Sequence, residues 1–176
     1  IMSTQTGEKM NECKLDNIMK ILLKKGYQEV EFFWVDREKT QIQLFNNEIC
    51  HCSNDRELGI GTRVIKENVV AFSSSTNLNK DIILTHIEKS HKARKNNNNI
   101  NRFHLPDINN QTYATVDTFD KKLYDYTLDN FIEVSEKLTD SIKTVKDKIH
   151  GDITLIKEKW GIKNSNGISS MQNGTK

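Results

Sequence analysis

The sequence has no long apolar run. Stretches such as Val69 to Phe72 fall far short of the roughly 20 residues a membrane-spanning helix needs, so no span is expected. An excess of one charge is missing too. Lys and Arg number 26 against 24 Asp and Glu, the net charge is +2, and both signs are mixed throughout. That balance makes no electrostatic case for a nucleic-acid or membrane partner. Cysteine occurs 3 times, too few for a disulfide framework in a chain of 176 residues. Ile1 to Lys14 carries charges and lacks the apolar stretch of a signal peptide, so a cytoplasmic location is expected. Hydrophobic residues make up 35%, low but sufficient for the core of one ordinary domain or two small ones.

Along the chain, two periodicities alternate. Residues 1–13 read as a disordered tail. In Lys14 to Lys25 the residues Leu15, Ile18, Met19 and Leu22 recur at steps of three and four, which predicts a short helix stopped by Gly26. The period then drops to two. Val30, Phe32 and Trp34 alternate with other residues, as do Ile42 and Leu44, and later Leu58, Ile60, Thr62 and Val64. Asn46-Asn47 and Glu67-Asn68 are placed to turn between these runs. Four or five short strands in an antiparallel meander are therefore expected, closed by a helix from Leu78 or Asn79 to Lys95. Ser73 to Asn77 offers capping residues for that helix. Lys95 to Asn101, "KNNNNIN", is too polar for a core, and the single proline, Pro106, lies just beyond it. A linker at 96–111 would divide a first α+β domain at 14–95 from a second beginning at 112.

The second half carries Leu128, Phe131, Ile132, Ser135, Leu138, Ile142, Val145 and Ile149 at helical spacing. This predicts one long amphipathic helix with Thr127 as N-cap, ended by Gly151. "DITLIKEKWGIKNSNGIS" then reads as two strands, with polar material from Met171 to Lys176. One helix and two strands leave the second α+β domain (112–176) incomplete, which suggests a truncated chain.

Four stretches invite a functional reading, and each has a plainer one. Cys50-His51-Cys52 offers metal-ligating atoms. On a strand the two thiols share a face and His51 points the other way. A structural zinc site needs four ligands, and Cys13 is the only other thiol. Two small side chains on a buried strand face are the plainer expectation. Gly59-Ile60-Gly61 begins like a dinucleotide-binding loop, but the third glycine position is Val64 and a strand runs through it. The glycines are expected to admit a close neighbour instead. Lys89, Lys92, Arg94 and Lys95, with His91, make a basic cluster without interleaved aromatics, as expected of a solvated helix end. In Thr85 to Lys92, "THIEKSHK", His86, Glu88 and His91 suggest a zinc helix. The two histidines lie about 140° apart and Glu88 about 200° from His86 at 3.6 residues per turn, so the three cannot converge on one ion. Ile83, Ile87 and Ser90 are expected to be buried, with His91 at the border and His86 in solvent.

The order of these segments resembles the N-terminal region of the TldD/PmbA family, the so-called modulators of DNA gyrase, which are zinc metallopeptidases or their partners. Gly26 and Glu29 resemble its glycine-to-acidic approach to the first strand. Gly59, Gly61, Arg63 and Val64 resemble its G-x-G-x-R-V strand. Ala71-Phe72 with Ser75, Thr76 and Asn77 resemble its entry to the second helix, with Val70 in place of the usual glycine. Asn164-Ser165-Asn166-Gly167 resembles its N-S-x-G near the end of the second region. The family's zinc motif, H-E-x-x-x-H, lies in a later part of the chain and occurs nowhere in these residues. The resemblance therefore assigns no catalytic and no metal residue here, while implying zinc for the full-length family member.

The expected fold class is α+β: helix, antiparallel meander of four to five strands, closing helix, linker, long helix and two strands. The resemblance implies the N-terminal, non-catalytic region of a metallopeptidase or of its inactive partner, acting on unfolded or small peptides. It also implies pairing with a related subunit as a homodimer or heterodimer. The chain alone is expected to bind no stoichiometric zinc and to cleave no peptide. The alternative is a stand-alone α+β interaction module that recognises a peptide or protein by a strand edge or the long helix.

Overall fold

The first helix, α1, spans Thr4–Lys24. It takes in most of the expected tail, because Glu8, Lys9 and Met10 are themselves good helix formers. The computed structural model describes residues 4–94, 103–108, 116–142 and 148–176. Gly26 closes α1 with φ +83°. The Tyr27 amide donates to the Leu22 carbonyl at 3.2 Å and the Gly26 amide to Leu23 at 3.0 Å, the two bonds of a Schellman cap.

Strands β1 (Glu29–Phe45), β2 (Glu48–Lys66) and β3 (Val69–Ser75) follow. The four or five short strands expected here are three, two of them long. The connecting turns fall at Asn46-Asn47 (φ 53° and 68°) and Glu67-Asn68 (φ 54° and 61°). Two consecutive left-handed residues make the hairpin turn whose twist matches that of the strands. Helix α2 (Lys80–Arg94) comes next, then α3 (Lys121–Asp125), α4 (Leu128–Ile142), β4 (Gly151–Asn164) and β5 (Ser169–Thr175). The fold is α+β, and its five strands form one antiparallel sheet in the order β3-β2-β1-β4-β5.

Contacts divide the described residues into two units. The first takes those within Ile1–Val35, Leu58–Tyr113 and Gly161–Met171; the second takes those within Asp36–Glu57, Ala114–Trp160 and Gln172–Lys176. Each unit draws on sequence from both sides of the expected linker, because β1, β2 and β4 all run through both. Of that linker, residues 96–102 and 109–111 lie outside the described residues.

In the first unit, Leu15, Ile18, Met19 and Leu22 of α1 pack with Val30 and Phe32 of β1, Ile60 and Val64 of β2, Ala71 of β3, and Ile83 and Ile87 of α2. These are the residues that both periodicities marked as apolar faces. Asn79 caps α2, its Oδ1 accepting from the Asp81 amide at 2.9 Å and the Ile82 amide at 3.3 Å.

In the second unit, Ile42, Leu44, Phe131 and Leu155 form the core. Thr127 caps α4 as expected: the Asn130 amide donates to its Oγ1 at 3.2 Å, and Asn130 Oδ1 accepts from the Thr127 amide at 3.1 Å. The expected stripe on this helix is only partly buried. Phe131, Ser135 and Thr139 face inward, whereas Leu128 and Leu138 stay 40% and 43% exposed. The Ser135 hydroxyl satisfies itself on the Phe131 carbonyl at 2.7 Å, which lets a polar residue hold a core position. The helical assignment stops at Ile142, residues 143–147 lie outside the described residues, and Ile149 is not helical. The two closing strands expected after the helix are β4 and β5, the second beginning at Ser169 and running on through the polar material.

Candidate functional site

The basic and histidine-bearing stretch lies on α2, and its three candidate metal ligands have separate partners. His91 is buried, its Nε2 3.3 Å from the Lys66 carbonyl and its ring edge-on to Tyr27 at 5.7 Å. It belongs to the packed face instead of bordering it, and Ser90 is only half-buried. Glu88 pairs with Lys25 at 2.5 Å, which together with the lysine charge holds its carboxyl below the usual range. His86 is exposed, yet its Nδ1 lies 3.2 Å from the Ser74 carbonyl, so it is tied to β3 and not free in solvent. A carbonyl can only accept, so Nδ1 is the donor in this contact. Of the basic cluster, Lys95 lies outside the described residues.

Cys50 and Cys52 are free thiols on β2. Both are exposed, which corrects the expectation of a buried face. Strand alternation says which residues share a face but not whether another layer covers it, and both thiols are exposed. Among the described residues no three His, Cys, Asp or Glu side chains group as a metal site.

The glycine pair lies elsewhere, in a cleft of about 590 Å³ in the first unit, with Phe33, Val35, Asn77 and His86 also among its lining. A Cβ on Gly59 would stand 3.4 Å from Val35 Cγ1, and one on Gly61 3.8 Å from the Phe33 carbonyl. Neither glycine is demanded by a close neighbour, so the expected reason for them is corrected. They leave the cleft floor bare. The rim is tied to itself: Ser75 Oγ accepts from the Asn77 amide at 3.0 Å and donates to the Asn77 carbonyl at 2.8 Å. An apolar floor with a polar rim and one imidazole suits binding of an apolar group. It does not assemble a nucleophile with a base and an orienting carboxylate.

A second constellation, also within the first unit, joins residues far apart in sequence. The turn Asn164-Ser165-Asn166-Gly167 is held by its own atoms. Asn164 is buried, and its Oδ1 accepts from the Asn166 and Ile168 amides, each at 3.0 Å. Ser165 is bound twice to Val30, its amide donating to the Val30 carbonyl at 2.8 Å and its Oγ accepting from the Val30 amide at 3.1 Å. The two carboxamide nitrogens are thereby turned onto another segment. Asn164 Nδ2 donates to the Pro106 carbonyl at 2.9 Å and Asn166 Nδ2 to the Leu105 carbonyl at 3.0 Å.

Glu29 completes this cradle. Its Oε2 accepts from the Leu105 amide at 2.5 Å and its Oε1 lies 2.7 Å from His104 Nδ1. Burial pushes the Glu29 carboxyl up, but the hydrogen bonds from His104, Leu105 and Asn166 outweigh it and hold the carboxyl below its ordinary range. Arg63, paired with Glu31, sits 5.1 Å over the ring of Phe103. Gly167 has φ +97°, and a Cβ there would fall 2.7 Å from Ile108 Cδ1. Glu29, Arg63, Asn164 and Gly167 belong to the motifs that carried the family resemblance. Their convergence on Phe103 to Ile108 was not legible from spacing.

Residues 30–93 match the family described as PmbA/TldA metallopeptidase domain 1. The resemblance read from the motifs is borne out over that segment. No curated protein sequence matches the chain. Among solved structures, TldE from Thermococcus kodakarensis is similar with a TM-score of 0.74 at 17% identity, over 92% of this chain and 37% of that one. A proposed modulator of DNA gyrase from Bacteroides thetaiotaomicron gives 0.73 at 16%, over 94% and 39%. A proposed modulator of a DNA gyrase from Thermotoga maritima gives 0.71 at 13%, over 93% and 37%. The fold is shared with these proteins, and the chain spans less than two-fifths of their length.

Proposed function

We propose that this chain is the N-terminal, non-catalytic region of a TldD/PmbA-like metallopeptidase, or of its partner subunit, acting on unfolded or small peptides. The observation that carries the reading is the match of residues 30–93 to the first domain of a family named for its metallopeptidase activity. The fold likeness to proteins more than twice as long supports it. A related subunit is the expected partner, as homodimer or heterodimer, and the cytoplasm the expected location. No described helix is long and apolar enough to cross a membrane.

The family name implies a metal in the full-length protein. The residues present here do not fit one. His86, Glu88 and His91 are committed to Ser74, Lys25 and Lys66 respectively, and Cys50 and Cys52 group with no third ligand among the described residues. No catalytic step is therefore assigned to this chain. It would contribute scaffold, subunit contacts and control of access.

Elemental analysis and a peptidase assay on the purified chain test this. No stoichiometric zinc and no cleavage are expected; one tight zinc per chain would overturn the reading. The coding sequence past Lys176 separates the forms. A further frame with H-E-x-x-x-H marks the active subunit, and one without it marks the partner. A stop there, with a cooperatively folded product, would favour the interaction module.

A further inference from the structure

We infer that the cradle of Glu29, Asn164 and Asn166 is a binding site for an extended peptide with a Leu-Pro step, filled in cis by Phe103 to Ile108. Three features set the segment apart as an occupant. It has no regular secondary structure of its own. It is held through its main chain, at both the amide and the carbonyl of Leu105 and at the carbonyl of Pro106. Only Leu105 is fully inserted, at 2% exposure, while Phe103 and Ile108 remain 41% and 60% exposed. Main-chain contacts for affinity and one apolar pocket for selectivity are how proteins read extended peptides.

The receptor side does not need its occupant for its shape. Asn164 Oδ1, the Asn164–Ile168 backbone pair and the Ser165–Val30 pair build the turn without Phe103 to Ile108. The turn then carries the two carboxamide nitrogens as donors, and Glu29 at the start of β1 supplies the acceptor. Proline suits the position after leucine for two reasons. It has no N–H to satisfy, and it holds the residue before it extended. The inference goes beyond the proposed function and does not depend on it.

The test uses the full chain and a fluorescein-labelled Phe-His-Leu-Pro-Asp-Ile hexapeptide, read by fluorescence polarisation. In wild type the tethered segment holds the site at high effective concentration and should exclude the probe. Leu105→Asp should vacate the pocket and tighten probe binding at least about tenfold, a change of roughly 1.4 kcal/mol. Adding Asn166→Ala removes the donor to Leu105 and one bond from Ser165 Oγ within the turn, keeps the Asn164 and Ser165–Val30 bonds, and should abolish that gain. A probe N-methylated at leucine lacks the N–H that Glu29 accepts and should not bind. If Leu105→Asp does not fold by near-UV circular dichroism, Leu105→Ser replaces it. The inference is overturned by a folded vacated variant that fails to bind, by equal binding of the N-methyl probe, or by equally tight binding to wild type.

Discussion

Replacing Asn164 with alanine should be among the most costly single changes outside the apolar core. The side chain is 3% exposed and makes three hydrogen bonds: two accepted from the Asn166 and Ile168 amides and one donated to the Pro106 carbonyl. Alanine strands all three partners. At about 1 kcal/mol net for each bond, the loss is roughly 3 kcal/mol. For a chain of this size that corresponds to a fall in Tm of about 6–12 °C. Asn164→Asp keeps the acceptor but sets a buried carboxylate oxygen against the Pro106 carbonyl, so it should not rescue the loss. The chain has two tryptophans, and Trp34 lies in the first unit while Trp160 lies in the second. A Trp160→Phe background therefore makes Trp34 fluorescence report the unit that contains the turn. A loss below about 1 kcal/mol for alanine would overturn this account. The turn would then stand on its backbone bonds alone.

Three further outcomes follow from the geometry. Glu29 is held below its ordinary carboxyl value of 4.5, so its contribution is full above that pH and is lost as pH falls through the depressed value. Glu29→Gln should lower stability at pH 7, and urea titrations of the two proteins should converge under acid; a gap that persists or widens there would contradict this. His91→Ala removes a buried ring packed on Tyr27 and should cost about 2 kcal/mol, whereas exposed His86→Ala should stay within about 0.5 kcal/mol. Chemical denaturation separates them, and equal effects would mean α2 is seated differently. Gly167→Ala meets both a φ of +97° and the Ile108 side chain, so a loss of about 1–2 kcal/mol is expected in the same assay; no loss would show that the turn tolerates a Cβ.

Legibility differed sharply between elements. The stripe Leu15, Ile18, Met19, Leu22 and the stop at Gly26 were readable because a helix is built from contacts three and four residues apart. Both hairpin turns were readable because asparagine tolerates positive φ. Strand length was not. Asp36 to Gln41 is polar enough to read as a break, yet β1 runs through it. The charges there are met across the second unit: Arg56 binds Asp36 at 2.8 Å and Glu158 accepts from Arg37 at 3.0 Å. Such pairs make a polar strand tenable, and nothing local announces them. The fate of Cys50 and Cys52 was equally hidden, since alternation assigns a face and says nothing of what covers it.

What the sequence determined by itself, then, is what short-range physics controls: the α+β class, the apolar faces of α1, α2 and β1, the two turns, the cap at Thr127, and the wrong spacing of His86, Glu88 and His91 for one ion. The motif order added the family likeness. Tertiary structure alone decided that Glu29, Asn164 and Asn166 meet around Leu105. The Glu29–Leu105 bond spans 76 positions and the Leu105–Asn166 bond 61. No periodicity reaches that far. Only the pairing of β1 with β4 brings the strand start and the closing turn side by side, and so turns weak motifs into a cradle.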